Sequence, residues 1–216
     1  MKRKKLIRDT EVYVKQVLEH DSSGHDWWHI QRVRNLALMI AKSEKVDLFI
    51  VEIAALLHDL DDWKLVGENS SQKRTLEWLD QNGVERAVSD KICRVIEGVS
   101  FKGAHVDTAT NDRECAVLQD ADRLDAMGAI GIARTFAFGG NRGRAIYDPG
   151  IPPLLHNDFE DYKKSEGTTI NHFYEKLLLL KDRMQTDIGK AIAEQRHAFM
   201  LRFLEEFYAE WSGYNF

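Results

Sequence analysis

Proline is missing from the first 148 residues of this 216-residue chain, and the three it has, Pro149, Pro152 and Pro153, crowd into one short stretch. A backbone with so few breakers is free to be helical almost throughout. The segment 140–167, which gathers those prolines with Gly, Asn and Asp, reads as one long loop, a length at which loops usually act as lids or binding elements. Cysteine is scarce as well. Cys93 and Cys115 are the only two, too few for a disulfide framework and without zinc-ligand spacing, so both read as free, buried thiols of a reducing compartment. No apolar run reaches the roughly 18 residues of a membrane span. The basic opening MKRKKLI passes into RDTEVYVK rather than an apolar segment, so neither a signal peptide nor an anchor is expected, and the expected location is cytoplasmic. A basic excess is also lacking: 30 Lys and Arg stand against 35 Asp and Glu, a net charge of −5. That balance excludes a general binder of polymeric nucleic acid or of a membrane surface, and leaves room for a local basic pocket that takes a small anion.

What is present is helical periodicity. Val33, Leu36, Ala37 and Ile40 recur at i, i+3, i+4, i+7, the spacing of one helix face. Residues 46–60, VDLFIVEIAALLHDL, are apolar nearly all round, which places that helix at the centre of a protein, with Asp47 as its N-cap. Further helices are expected near 4–20, 70–82, 84–98, 113–139, 168–186 and 187–211. Gly83 suits the C′ position after LEWLDQN, and Gly128 and Gly131 break or bend the 113–139 segment. Alternation with period two is nowhere sustained, so little or no sheet is expected. No repeat or linker divides the chain. The reading is an all-α protein with a single domain over 1–216, its chemistry-bearing core at about 20–130 and a helical C-terminal part at about 165–216. Phe199, Phe203 and Phe207 repeat every four residues and mark a packing stripe, of the core or of a subunit interface such as a homodimer would use.

Three groups of polar residues interrupt this apolar pattern. His58 and Asp59 close the central helix, where an imidazole and a carboxylate are costly to bury unless they are paired or bind a metal. In GHDWWHIQRV, Asp26 is an N-cap for a helix begun by Trp27, so His29 falls in the first turn. There the positive end of the helix dipole disfavours imidazolium and keeps the ring neutral, as a metal ligand requires, and two tryptophans would wall it. In LQDADRLDAMGAIGI, Asp122 and Asp125 share a helix face that Asp120 does not. Each group taken alone also fits a solvated or capping role. Together they supply a His, a His-Asp doublet and a distant Asp, all on helices with apolar faces. Mixed imidazole and carboxylate donors suit Mn²⁺, Fe, Co or Ni better than a structural zinc site, and such a set leaves coordination positions open for water and substrate.

This pattern resembles the HD-domain superfamily of metal-dependent phosphohydrolases, whose signature H…HD…D falls here on His29, on His58-Asp59 and on an aspartate of DADRLDAMG. The small residue before and the basic residue after match Ala121-Asp122-Arg123, which makes Asp122 the fourth ligand and Asp120 the second choice. HDWWHIQRV, QDADRLDAMGAIGIARTFAFGG, HFYEKLLLLKDRMQT and RHAFM are similar to the small bacterial YedJ/YpgQ subgroup of that family, and the similarity extends along the whole chain. The resemblance implies an HD-type helical bundle with additional C-terminal helices. It also implies one divalent cation, Mn²⁺ foremost with Mg, Co, Ni or Fe as substitutes, and hydrolysis of nucleoside triphosphates to monophosphate and pyrophosphate. A more distant likeness, to the hydrolase domain of stringent-response alarmone enzymes, carries a Glu-Asp pair where this chain has Asp61-Asp62.

On that footing Asp62, or else Asp61, is the candidate general base. The candidate cations for the phosphates are Lys64 just past the doublet, Arg32 three residues after His29, and Lys176 and Arg196 in the C-terminal helices. His172, four residues before Lys176, shares its helix face. Arg142 and Arg144 in GGNRGR are weaker candidates, since that loop lacks the ending of a P-loop. The alternatives are a nucleotidase acting on monophosphates, or a regulatory protein that binds nucleotide or metal with little catalysis.

Overall fold

The computed structural model describes residues 2–19, 26–61, 72–99, 106–155 and 167–213. Among them there are nine α-helices, one 3-10 helix and no strand. No helix is long and apolar enough to cross a membrane among those residues. The chain divides into two compact units, one formed by Met1–Phe101 with Thr108–Asp122, the other by Lys102–Asp107 with Arg123–Phe216.

The first unit holds α1 (Lys2–Leu18), α2 (Trp27–Ala41), α3 (Leu48–Leu57), α4 (Lys73–Gln81), α5 (Arg86–Glu97) and the first ten residues of α6 (Arg113–Asp125). Helix α3 is its centre, packed against α1, α2 and α5. The reason is in its composition: eight of its ten residues, from Phe49 to Leu57 with Glu52 left out, are buried. Ile53, Leu56 and Leu57 have no exposed surface, and each contributes roughly 1.5–3 kcal/mol by leaving water. Truncating Ile53 to Ala would cost about 2–5 kcal/mol. Asp47 caps α3 as its sequence suggests, accepting from the Phe49 N–H at 2.9 Å. The one charged residue of α3, Glu52, receives the Arg34 guanidinium of α2, whose other arm reaches Glu11 of α1 at 3.1 Å. Three helices are thereby tied through one arginine.

Helix α4 ends at Gly83, whose φ of +66° only glycine adopts without strain. Its N–H reaches Asp80 O at 2.9 Å and that of Val84 reaches Leu79 O at 3.0 Å, closing a Schellman motif.

The second unit holds the end of α6, then α7 (Gly128–Asn141), α8 (Asn171–Glu175), the 3-10 helix Leu177–Arg183 and α9 (Asp187–Trp211). Gly128, with φ of +71°, breaks the 113–139 segment into α6 and α7. Gly131 is packed so tightly that a Cβ there would lie 2.2 Å from the Ala126 carbonyl oxygen.

Several expectations need correction here. The segment 168–186 is not one α-helix, because Lys176 leaves helical geometry (φ −143°, ψ −60°) and the leucine run that follows winds as a 3-10 helix. The loop expected from 140 begins after Asn141, and its described part is laid down in order. Thr169 and Ile170 donate to Ala145 O and Ile146 O at 2.9 and 3.0 Å, and Tyr147 packs edge-on against Phe207, Tyr208 and Trp211. Of the aromatic stripe, Phe203 stacks on Phe173 and Phe207 on Trp211, whereas Phe199 is 41% exposed. Cys115 is buried as expected, Cys93 only half-buried, and neither forms a disulfide.

Candidate metal centre

The Asp26 carboxylate starts α2 by accepting the backbone N–H of His29 at 2.8 Å. This cap holds His29 in the first turn, where its side chain is completely buried. Trp27 is buried, but Trp28 is 63% exposed, so the expected wall of two tryptophans is not formed. His58 and Asp59 follow the last turn of α3. The His58 Nδ1 lies 2.9 Å from the carbonyl oxygen of Ala55. A carbonyl only accepts, so Nδ1 carries a proton, and it is Nε2 whose lone pair a metal would use.

That Nε2 faces the other donors. It lies 3.3 Å from His29 Nε2 and 3.4 Å from Asp59 Oδ1. His29 Nε2 in turn lies 3.2 Å from Asp59 Oδ2 and 3.5 Å from Asp122 Oδ1, which is 3.9 Å from His58 Nε2. The imidazole planes are inclined at 65°, so the two rings meet edge-on rather than stacked. His29, His58 and Asp59 are buried, and Asp122 is the most open of the four, with 31% of its side chain exposed.

The donor set fits a divalent cation. Bonds of about 2.0–2.2 Å to nitrogen and oxygen hold neighbouring donors about 3.0–3.5 Å apart, the range in which most of these separations fall. Two carboxylates and a lone-pair imidazole nitrogen converging in a buried place also need a positive charge between them, because each repels the others in a medium of low dielectric. His29, His58, Asp59 and Asp122 are the residues that would hold it.

The two aspartates expected to share a face of α6 separate in use. Asp122 turns to the imidazoles, while Asp125, almost fully buried, pairs with Arg134 at 2.9 Å. Sequence reasoning had no signal for that partner, which lies nine residues on, across the break at Gly128. Nor could it foresee the Ala55 carbonyl, a main-chain group. Asp120 is buried on α6.

Asp61 accepts the backbone N–H groups of Arg74 and Thr75 at 3.1 and 2.9 Å, in the first turn of α4. Asp62 and Lys64 lie outside the described residues. Arg32 is half-buried on α2.

The remaining candidates belong to the second unit. His172 and Lys176 are both half-buried, and the Lys176 N–H still bonds to His172 O at 3.1 Å, although the helix ends between them. The Arg196 guanidinium donates to the carbonyl of Leu124, and burial lowers its pKa against the opposing pull of Asp125. Arg142 and Arg144 lie over the ring of Phe138, at 5.4 and 5.7 Å from its centre.

Residues 27–127 match the family model of the HD domain. Along 95% of its length the chain is 39% identical to YpgQ of Bacillus subtilis, covering 94% of that protein. A crystal structure of YpgQ in complex with ADP superposes with a TM-score of 0.74 at 36% identity, over 94% of this chain and 97% of that one. A Lactobacillus plantarum crystal structure matches with a TM-score of 0.86 at 40% identity, over 96% of this chain and 97% of that one. An HD-superfamily hydrolase from Bacillus thuringiensis matches with a TM-score of 0.73 at 43% identity, over 98% and 99%. The H…HD…D pattern, the helical scaffold that brings it together and these likenesses agree, and the chain belongs to the HD-domain superfamily.

Proposed function

We propose that this protein is a divalent-metal-dependent phosphohydrolase that converts nucleoside triphosphates to monophosphate and pyrophosphate. The observation that carries the reading is the convergence of His29, His58 and Asp59 in one buried cluster, with Asp122 Oδ1 at 3.5 and 3.9 Å from the two imidazole Nε2 atoms. The ADP bound in the crystal structure of YpgQ supports a nucleotide as substrate. Mn²⁺ is the cation of choice, because hard carboxylates and borderline imidazoles are mixed in one set. When bound, the cation supplies Lewis acidity, which makes a water more acidic and polarises a phosphoryl oxygen.

The chain's own residues do the rest. The four ligands fix where the phosphate bridge sits, with His29, His58 and Asp59 buried beneath it and Asp122 open at the rim. The hydrolysis consumes one water: its oxygen joins the α phosphorus, the bond from that phosphorus to the α–β bridging oxygen breaks, and pyrophosphate departs with the electron pair. Asp62 takes the proton of that water as general base. Arg32, Lys64, His172, Lys176 and Arg196 are the groups proposed to offset the phosphate charge.

The test is to incubate metal-free protein with Mn²⁺ and a panel of nucleoside mono-, di- and triphosphates, and to follow both phosphate and pyrophosphate. Pyrophosphate from triphosphates is the expected result. Inorganic phosphate from monophosphates would make the protein a nucleotidase, and tight nucleotide binding with no release would make it a regulator.

A further inference from the structure

Helix α4 begins without a cap of its own. Its N-cap residue, Gln72, sits at φ +52° and ψ +25°, and offers no side-chain bond to the first turn. The Gln72 amide is engaged elsewhere, donating to the carbonyl of Cys93 at 3.0 Å. The first turn of a helix exposes N–H groups that need acceptors, and here the acceptor comes from another part of the chain. Both oxygens of Asp61 are used, one by Arg74 N–H at 3.1 Å and the other by Thr75 N–H at 2.9 Å, the second and third positions of α4. A full negative charge also complements the positive end of that helix.

Asp61 stands two residues after Asp59. The turn between them is already tied at its start, where the Leu60 N–H bonds to Leu57 O at 3.0 Å. Asp61 ties its end. Helix α4 packs on α5, and α5 packs on α3, which leads into the doublet, so the anchor is itself held in place.

We propose that Asp61 is a positioning residue: by capping α4 from the end of the His58-Asp59 turn, it sets the orientation of the Asp59 carboxylate toward the cation. This inference rests on the metal centre described above and separates Asp61 from the general-base role. Both oxygens of Asp61 already accept main-chain bonds, which hold its carboxylate on the first turn of α4.

The experiment compares Asp61→Asn and Asp61→Ala with the wild type. It uses the full chain, Mn²⁺ titration by calorimetry, and steady-state hydrolysis across pH. Asparagine keeps one acceptor for the first turn and alanine keeps none. A positioning role therefore gives a graded series: Asn weakens Mn²⁺ binding by about threefold or less, and Ala weakens it by about tenfold or more. The pH profile keeps its shape in the asparagine variant. A general base gives the opposite pattern, with Mn²⁺ affinity intact in both variants and kcat lowered about 10²–10⁴-fold in both. That result, or unchanged Mn²⁺ affinity in a folded Asp61→Ala protein, would overturn the proposal. Because the metal titration needs no turnover, it stands even if the wild type proves inactive on the nucleotides tried.

Discussion

The Nε2 atoms of His29 and His58 lie 3.3 Å apart although the residues are 29 positions apart in the chain. Two imidazole nitrogens so close, with carboxylate oxygens of Asp59 and Asp122 at 3.2–3.9 Å from them, are held together at a cost that a shared cation removes. Stability should therefore depend on the metal. Chelation with EDTA lowers the thermal midpoint, and saturating Mn²⁺ restores it. At a hundredfold excess over Kd the gain is about 2.7 kcal/mol, equivalent to about 5–10 °C for a chain of this size. Differential scanning fluorimetry reads this directly, and a midpoint indifferent to both reagents would contradict it.

The two carboxylates of α6 should behave differently. Asp122→Asn removes a donor and weakens Mn²⁺ binding severely. Asp125→Asn leaves the cation bound, because Asp125 answers to Arg134, but it uncouples a buried ion pair and destabilises the fold by about 3 kcal/mol or more. Calorimetric titration combined with urea unfolding separates the two outcomes, and equal loss of metal in both variants would argue against the assignment.

The scaffold was legible where local physics decides. The apolar stretch 48–57, the caps Asp26 and Asp47, the C′ glycine at 83 and the break at Gly128 all follow from short-range rules. The polar groups stood out because each interrupts an apolar helix, and the resemblance to the HD-domain superfamily chose His29, His58-Asp59 and Asp122 among them. What was not legible depends on partners distant in sequence. Arg34 reaches Glu11 and Glu52, Asp125 finds Arg134, and Asp61 finds the start of α4. The 168–186 segment failed for another reason: its leucine run suits either helical winding, and only the unusual backbone of Lys176 decides.

Glycines at 83 and 131 test two different constraints. Gly83→Ala meets only left-handed backbone strain, with open space around the new Cβ, and costs about 1–2 kcal/mol. Gly131→Ala drives its Cβ to 2.2 Å from the Ala126 carbonyl oxygen, so α7 must shift. It should destabilise by more than Gly83→Ala in chemical denaturation, and the reverse order would be inconsistent with the packing described.

Stability should also change with pH through Lys91 and Asp112, which meet at 2.7 Å. Partial burial by itself raises Asp112, but the hydrogen bonds from Lys91 and the Cys115 N–H, with the Lys91 charge, outweigh it and leave its pKa lowered. Burial by itself lowers Lys91, and the bonds to Asp112 and Glu114 raise it on balance. A depressed carboxylate stabilises above its unfolded value and loses that contribution as pH falls through the folded one. The raised lysine stabilises below its unfolded value and loses that contribution as pH rises through the folded one. The pair is partly exposed, so its worth is about 0.5–1 kcal/mol. Lys91→Met should flatten the acid side of the stability curve by that amount, as urea unfolding from pH 2.5 to 7 would record.

The central claim is that His29, His58, Asp59 and Asp122 hold one divalent cation. The most direct measurement is Mn²⁺ binding to metal-free protein, followed by the loss of the free-ion signal in electron paramagnetic resonance, for the wild type and for Asp59→Ala. The account predicts one tightly held Mn²⁺ per chain in the wild type and none in the variant, with the helical circular dichroism of the two nearly superposable. Tight, stoichiometric binding that survives in a folded Asp59→Ala protein would contradict it.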